Sequence, residues 1–452
     1  MPEHQALESR ISNSPFKVLA IRNPKVVEKI IEGRITPASE CYSEELNDPV
    51  FLRAQNVEEG YLNFSDAKRL SEEAFEAEPK AVLADGDLVL TIDGVLLGIA
   101  AIHRAGDQEC CISNHMVRMR HGVEANPEFL AWLLNSSLGQ KQIKRGISGS
   151  AIPGIRTDAI ERILIPLPST EIQRSLVAEI EAARQTRKQK LAQADELLSS
   201  LDAYLLDQLG LSAPEESDRK SYAVQLKQIK NGRYDSLYHE PSFIKIVKEL
   251  AECAFPVIPL GDIVLDPVGG ATPKRSDAEL YADEGVKFLR ILNIKPYEME
   301  LTDVKFIADI VHSGELARSQ LEENDVLMTI TGRVGTAAVV PREILPANIN
   351  QHIVRLRIHH TACLPTYLAA YLNSSIGLSL SNRSVTGGTR IALDYEAIRS
   401  LQVPLPPTDI QEAVVNEVET QRSNAQRLRQ EAETEWEAAK TRFEQKLLGE
   451  EA

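Results

Sequence analysis

Three pairs of polar loops hold the side chains of this 452-residue chain that could do chemistry. The first pair is Thr91 to Gly94, which includes Asp93, and Thr329 to Arg333. The second is Ser113-Asn114 and Asn348-Ile349-Asn350-Gln351. The third is two glycine loops, Lys144-Arg145-Gly146-Ile147-Ser148-Gly149-Ser150 with Arg156 just beyond, and Arg383-Ser384-Val385-Thr386-Gly387-Gly388-Thr389-Arg390. Hydroxyls, amides and cationic groups on such loops offer hydrogen bonds and charge, the chemistry of recognition. Bond-making chemistry finds no support. There is no NPPY or DPPY motif, no glycine-rich methyl-donor loop, no GxxxxGK[ST], no HExxH, and the nine histidines lack metal-ligand spacing. No catalytic residue, cofactor or metal is expected.

What must position these loops is a repeat. The stretch Glu171 to Leu209 recurs as Asp409 to Leu447, 238 residues later, with apolar residues in step: Leu176 with Val414, Ile180 with Val418, Leu198 with Trp436, Leu205 with Phe443 and Leu209 with Leu447, and Leu201 opposite Ala439. Steps of three and four mean one helical stripe. Both stretches lack internal Gly and Pro, and Gly210 follows the first. Each is predicted as one helix of about 60 Å. A narrow stripe on so long a helix points to a coiled-coil seam rather than a globular core face, with each copy the partner of the other. The seam then comprises Leu176, Ile180, Leu198, Leu201 and Leu205 against Val414, Val418, Trp436, Phe443 and Leu447.

The repeat reaches beyond the helices. Phe51-Leu52-Arg53 with Asn56-Val57 answers Phe288-Leu289-Arg290 with Asn293-Ile294, a short buried strand ending in a polar loop. Asp87 to Thr91 answers Asp325 to Thr329, a strand followed by a glycine break. His115-Met116-Val117-Arg118-Met119-Arg120 answers His352 to Arg357, an alternating strand whose arginines are expected to face solvent. Asn135-Ser136-Ser137 answers Asn373-Ser374-Ser375, read as a helix C-cap and turn, and Ile165 to Pro168 answers Val403 to Pro406. So many matches in order mean a duplicated domain. At the front, Asn23 to Ile31 is matched with Glu240 to Lys248 as a short helix opened by proline. On that matching the second half carries some twenty residues more, and the first domain lacks a strand. The organisation expected is 1–169, first domain; 170–211, first helix; 212–232, linker; 233–407, second domain; 408–452, second helix. The fold class is α+β: duplicated mixed α/β domains separated by an antiparallel two-helix coiled coil, at opposite ends of a rod.

Composition bounds the partners. The chain is acidic, with 66 Asp and Glu against 50 Lys and Arg and a formal charge of −16, and 43% of residues are hydrophobic. The acidity argues against a simple nucleic-acid binder. It is concentrated away from the loops, however, and Ile330 to His360 carries four Arg against one Glu. Five cysteines without a CxxC pair fit reduced thiols, and the lack of an apolar span or signal peptide fits a soluble, cytoplasmic protein.

These paired markers, FLR-x-x-N-[VI], the strand closing in T-I-x-G, N-S-S-[LI]-G, the Gly-Ser/Thr loop and [IV]-P-L-P-x-x-[ED]-I-Q, resemble the specificity subunits of type I restriction-modification systems over nearly the whole chain. The resemblance implies a non-catalytic subunit with two target-recognition domains, each reading half of a split double-stranded DNA sequence. It also implies partners: two methyltransferase subunits and restriction subunits docking on the helices. On this reading Thr91, Asp93, Asn114, Lys144, Arg145, Ser148, Ser150, Arg156, Thr329, Arg333, Asn350, Gln351, Arg383, Thr386, Thr389 and Arg390 are the candidates for base edges and phosphates. The glycine loops contact DNA or are plain connectors. Arg53 and Arg290, identical in both halves, are assigned to fold support. Two other readings fit the residues: an acidic scaffold or inhibitor that imitates DNA, and the recognition module of a related defence system.

Overall fold

The computed structural model describes residues 2–148, 153–214, 221–224, 234, 237–273, 280–386 and 391–450. Candidates Ser150, Thr389 and Arg390 and most of the linker fall outside the described residues. The chain forms two compact units, Met1–Gln189 with Glu431–Ala452, and Lys190–Gln430. Among the described residues no helix is long and apolar enough to cross a membrane.

The first unit opens with helix α1 (Pro2–Ser12) and strands β1 (Lys17–Ala20) and β2 (Val27–Glu32). Strands β3 (Tyr42–Ser43), β4 (Val50–Leu52), β5 (Lys68–Leu70), β6 (Asp87–Thr91), β7 (Ala100–Ile102), β8 (Cys110–Ile112) and β9 (Met116–His121) follow. Helices α2 (Pro127–Asn135) and α3 (Ser137–Gly146), strand β10 (Leu164–Leu167) and helix α4 (Thr170–Leu209) come next. An antiparallel sheet, β2-β9-β6-β7, lies beside a mixed one, β8-β4-β5-β3, in which β8 and β4 run parallel; β1 pairs with β10. Every residue of β6 is buried. Alternation along the strand explains this: Leu88 and Leu90 join a core with Phe129 and Leu133 of α2, while Val89, on the other face, joins Val50, Leu52 and Ile112.

The second unit repeats the plan with helix α5 (Pro241–Ala251) and strands β11 (Val257–Pro259), β12 (Val268–Gly269), β13 (Tyr281–Ala282), β14 (Val286–Leu289), β15 (Lys305–Ile307), β16 (Val326–Thr329), β17 (Ala337–Val339), β18 (Ala347–Ile349) and β19 (Ile353–Leu356). Helices α6 (Pro365–Asn373) and α7 (Ser375–Ser384), strand β20 (Gln402–Pro404) and helix α8 (Thr408–Leu448) complete it. The sheets are β12-β19-β16-β17 and β18-β14-β15-β13, and β11 pairs with β20.

This plan corrects the front of the repeat. Asn23 to Ile31 is no helix: Val27–Glu32 is a strand paired along β9. Its twin is β12, paired with β19, so α1 and β1 answer α5 and β11, and no strand is missing from the first domain. Val26, Val27, Ile30 and Ile31 suit a helical stripe and a strand equally well, and the prolines Pro24 and Pro241 aligned two unlike elements. Gly33 and Gly270 mark the true match. A Cβ there would come within 2.1 Å of the Ser113 carbonyl oxygen in one domain and 1.9 Å of the Ile349 carbonyl oxygen in the other.

The long helices α4 and α8 pack antiparallel. In the first unit Lys446 meets Glu179 at 2.7 Å and Arg187 meets Glu433 at 3.0 Å. In the second, Arg429 meets Asp195 at 3.0 Å, and Leu201 and Leu205 share a core with Val414 and Val418. Nine of the ten seam residues are buried, and Leu198 is half-buried. The stripe is wider than a seam and also serves as a globular core face. Leu176, Ile180, Trp436, Phe443 and Leu447 belong to the same core as α2. The Trp132 and Trp436 rings meet edge-on at 5.6 Å, and Phe129 lies 6.0 Å from Phe443. Rings of that size fill a space between three elements rather than two.

Each unit ties a long helix to the helix that the Asn-Ser-Ser segment opens. Glu444 accepts from the amides of Ser137 and Leu138 at the start of α3, and Asp202 from the amide of Ser375 at the start of α7, at 2.8 Å. A carboxylate there meets free amides and the positive end of the helix dipole. Burial raises the pKa of Glu444 above the usual carboxylate value even so.

Candidate functional site

Beneath the loops lies a polar frame that is the same twice. Asp87, 1% exposed, opens β6; its carboxylate accepts from the Ala84 amide at 2.9 Å and from Arg120 at 3.1 and 3.2 Å. Asp325, also 1% exposed, accepts from the Glu322 amide at 2.7 Å and from Arg357 at 2.7 and 2.9 Å. Two residues earlier on each strand, Arg118 donates to the Val82 carbonyl and Arg355 to the Gln320 carbonyl. Of the arginines expected to face solvent, Arg118 is largely buried and Arg355 and Arg357 are half-buried, all turned in as brackets, while Arg120 stays exposed even as it pairs with Asp87. Burial, and then the charge of Arg357, lowers the pKa of Arg355, whereas the bond to Asp325 raises that of Arg357. Alternation fails to reveal this because a buried carboxylate on the neighbouring strand makes an inward arginine favourable.

Asn135 and Asn373 also do more than end a helix. Each side chain accepts from and donates to one residue of an edge strand: Ala100 at 2.9 and 2.7 Å, Ala337 at 2.9 and 2.7 Å. The amide stands in for a neighbouring strand at the edge of β17, and at β7 it is joined by the Gly60 amide, which donates to the Ala100 carbonyl at 2.9 Å. Ser136 and Ser374 then cap the next helix. Arg290 donates to the Asp303 carbonyl and carboxylate, both at 2.7 Å, which agrees with fold support; in both domains the Arg backbone amide donates to the asparagine three residues on.

Above this frame the candidates separate. Thr91 and Thr329 are wholly buried. The Thr91 hydroxyl donates to the Leu96 carbonyl at 2.5 Å and accepts from the Ile99 amide at 2.9 Å, and that of Thr329 donates to the Arg333 carbonyl. They close the turns that carry other residues, and cannot reach a ligand in this conformation. Asn350 is buried too and accepts from the His352 amide. Arg145 pairs with Glu8, and Arg383 donates to the Tyr238 carbonyl at 3.0 Å with its guanidinium over the Tyr238 ring at 4.2 Å. Lys144, Ser148, Asn114 and Arg333 are exposed, and their side chains have no partner among the described residues. Thr386 is exposed in a bridge to Ala392.

The structure brings Asp93, Ser148 and Arg156 to one open cleft, with Glu32, Thr157 and Asp158 also on its wall. Gly154 bridges to Asp93 there, as Ala392 bridges to Thr331 in the second domain. Sequence reasoning missed the histidines at the rim. His115 Nδ1 lies 2.8 and 2.9 Å from the two carboxylate oxygens of Asp93, and His352 Nδ1 lies 2.8 Å from the Thr331 hydroxyl. A signal was present: the same histidine stands at the start of β9 and β19, while the residue it meets, two beyond the buried threonine, differs. Across the same cleft Thr157 meets Glu32 at 3.3 Å; in the second domain the Tyr395 hydroxyl accepts from the Gly269 amide at 2.9 Å. Among the described residues no group of three or more His, Cys, Asp or Glu could hold a metal.

Comparison with known proteins agrees with this duplication. Residues 25–193 and 255–430 each match the family model described as a type I restriction modification DNA specificity domain. The chain is 21% identical over 382 residues, 81% of its length and 74% of the relative's, to the type I restriction enzyme StySPI specificity subunit of Salmonella potsdam. It is 26% identical over 136 residues to the EcoBI specificity subunit of Escherichia coli, where the match spans 30% of this chain and only 28% of that relative. A solved structure concerned with complex assembly and conformational transition of the type I R-M system contains a chain of the same fold, at TM-score 0.51 and 18% identity, covering 96% of this chain and 97% of that one.

Proposed function

Because the chain belongs to the type I restriction-modification DNA specificity family, we propose that it is the non-catalytic specificity subunit of such a complex. Its two domains read the two halves of a bipartite double-stranded DNA site. Methyltransferase and restriction subunits, assembled around it, supply the chemistry. One observation carries the reading: two domains share one buried frame, down to Asp87 and Asp325, yet present different side chains at equivalent loop positions, as two readers of different half-sites must. The net charge of −16 fits a subunit that binds DNA weakly alone, with partner subunits making most phosphate contacts, since phosphate neutralisation sets much of protein–DNA affinity.

The test exchanges residues 36–160 for the matching region of a relative and assembles the full chain with methyltransferase subunits. Methylation-aware sequencing is expected to show one half of the modified site changed and the other retained. A change in both halves, or in neither, overturns the reading.

A further inference from the structure

The two rim histidines are held differently, and the difference has a chemical consequence. In the second domain a relay fills every position. The Thr272 hydroxyl donates to Gln351 Oε1, Gln351 Nε2 donates to His352 Nε2 at 3.1 Å, and Nδ1–H is thereby left to donate to the Thr331 hydroxyl at 2.8 Å. In the first domain the position of Gln351 is taken by Asn114, whose side chain has no partner among the described residues. His115 Nδ1 is held by both oxygens of Asp93, its Nε2 makes no bond among the described residues, and its side chain is 51% exposed. A carboxylate can only accept, so Nδ1–H donates to Asp93, and Nε2 is the ring nitrogen left without a partner among the described residues.

We propose that His115 contacts a base edge in the first half-site, with Asp93 as its positioning residue, and that the pair selects a base bearing an exocyclic amino group. This rests on the specificity-subunit reading above. Asp93, which holds the ring, lines a cleft whose wall adds the carboxylates of Glu32 and Asp158, all acceptors. Such a surface favours the amino donors of adenine N6 or cytosine N4 in the major groove and disfavours guanine O6 and thymine O4. Arg156, with 83% of its side chain exposed at the cleft edge, pairs with Asp158 at 3.6 Å and would exchange that partner for a phosphate. The Asp93-to-Thr331 difference makes the two halves of the site unlike at this position.

The experiment assembles full-length wild type, H115A and D93T with the methyltransferase subunits and sequences the methylated sites. D93T places the second domain's own residue in the first. Both variants are expected to lose roughly tenfold or more of the discrimination at a single base position, one occupied by A or C in the wild-type site, with the other half-site and the total methylation retained. That pattern is not produced by a general loss of stability. If H115A does not assemble, D93T decides alone. Assembled variants with an unchanged recognition sequence overturn the assignment while leaving the subunit reading intact, as does a guanine or thymine at the relaxed position. A wild-type complex that methylates no defined sequence overturns both.

Discussion

In the first domain a carboxylate holds the rim histidine; in the second, a hydroxyl holds it and a glutamine closes it off. A few residues below, Asp87 with Arg120 and Asp325 with Arg357 are the same pair in the same place. Duplication has thus kept the layer where a change is costly and altered the layer where it is cheap. A buried carboxylate has no alternative partner in a low-dielectric interior, whereas a loop side chain exchanges its partner for water at little cost. On the proposed function, differences between the domains mark the reading surface, and identities mark its support.

The largest effect is expected at the support. D87A or D325A removes a buried carboxylate that holds an arginine and a backbone amide and should destabilise the corresponding unit by about 1.5 to 3 kcal/mol, the range for a hydrogen bond to a charged group, read as a loss in denaturant midpoint; a shift below about 0.5 kcal/mol would place the pair outside the frame. N373A should cost about 1 to 3 kcal/mol, because the amide and carbonyl of Ala337 lose their side-chain partner. N135A should cost less, because the Ala100 carbonyl also accepts from the Gly60 amide at 2.9 Å; equal costs would show that this bond adds nothing. At the reading layer, R333A should leave stability within about 0.5 kcal/mol and weaken binding of the assembled complex to the second half-site, measured by titration with DNA altered in one half at a time. The smallest effect concerns pH. Arg10 bonds both oxygens of Glu450, at 3.0 and 2.8 Å, and holds that carboxyl below its usual value. Its stabilisation is present above the unfolded Glu value and is lost as pH falls through the lower folded one. Wild type should lose more thermal stability than R10A between about pH 5 and pH 3, by about half a kcal/mol at this exposed pair.

Much of the fold was legible because it is written twice. Markers such as Asp87 and Asp325, or Asn135 and Asn373, recur at the same 238-residue shift as the long helices, and those helices carry a period that no other element imitates. What was misread lay where one pattern serves two structures. Val26, Val27, Ile30 and Ile31 satisfy helix and strand alike, and only pairing with Met116–His121 decides between them. Arg118 and Arg355 look like outward positions until the buried aspartates beside them are known. For the candidate site, residue type marked the loops but not the direction of their side chains: Thr91 and Thr329 turned inward as hydrogen-bonded closures. His115 and His352, read as the start of a strand, lie at the rim.

The first unit is assembled from the two ends of the chain, and that sets an order on its synthesis. Trp132, Phe129 and Ile180 share their core with Trp436, Phe443 and Leu447, which leave the ribosome only after residues 190–430 have been translated. At about 5 to 20 residues per second the nascent first domain waits on the order of ten seconds to a minute with that apolar face uncovered. The second unit, whose segments are contiguous from Lys190 to Gln430, can close as it emerges. The half of the protein made first is thus completed last, and a ribosome stalled before Glu431 leaves its aromatic face open to chaperones and to aggregation.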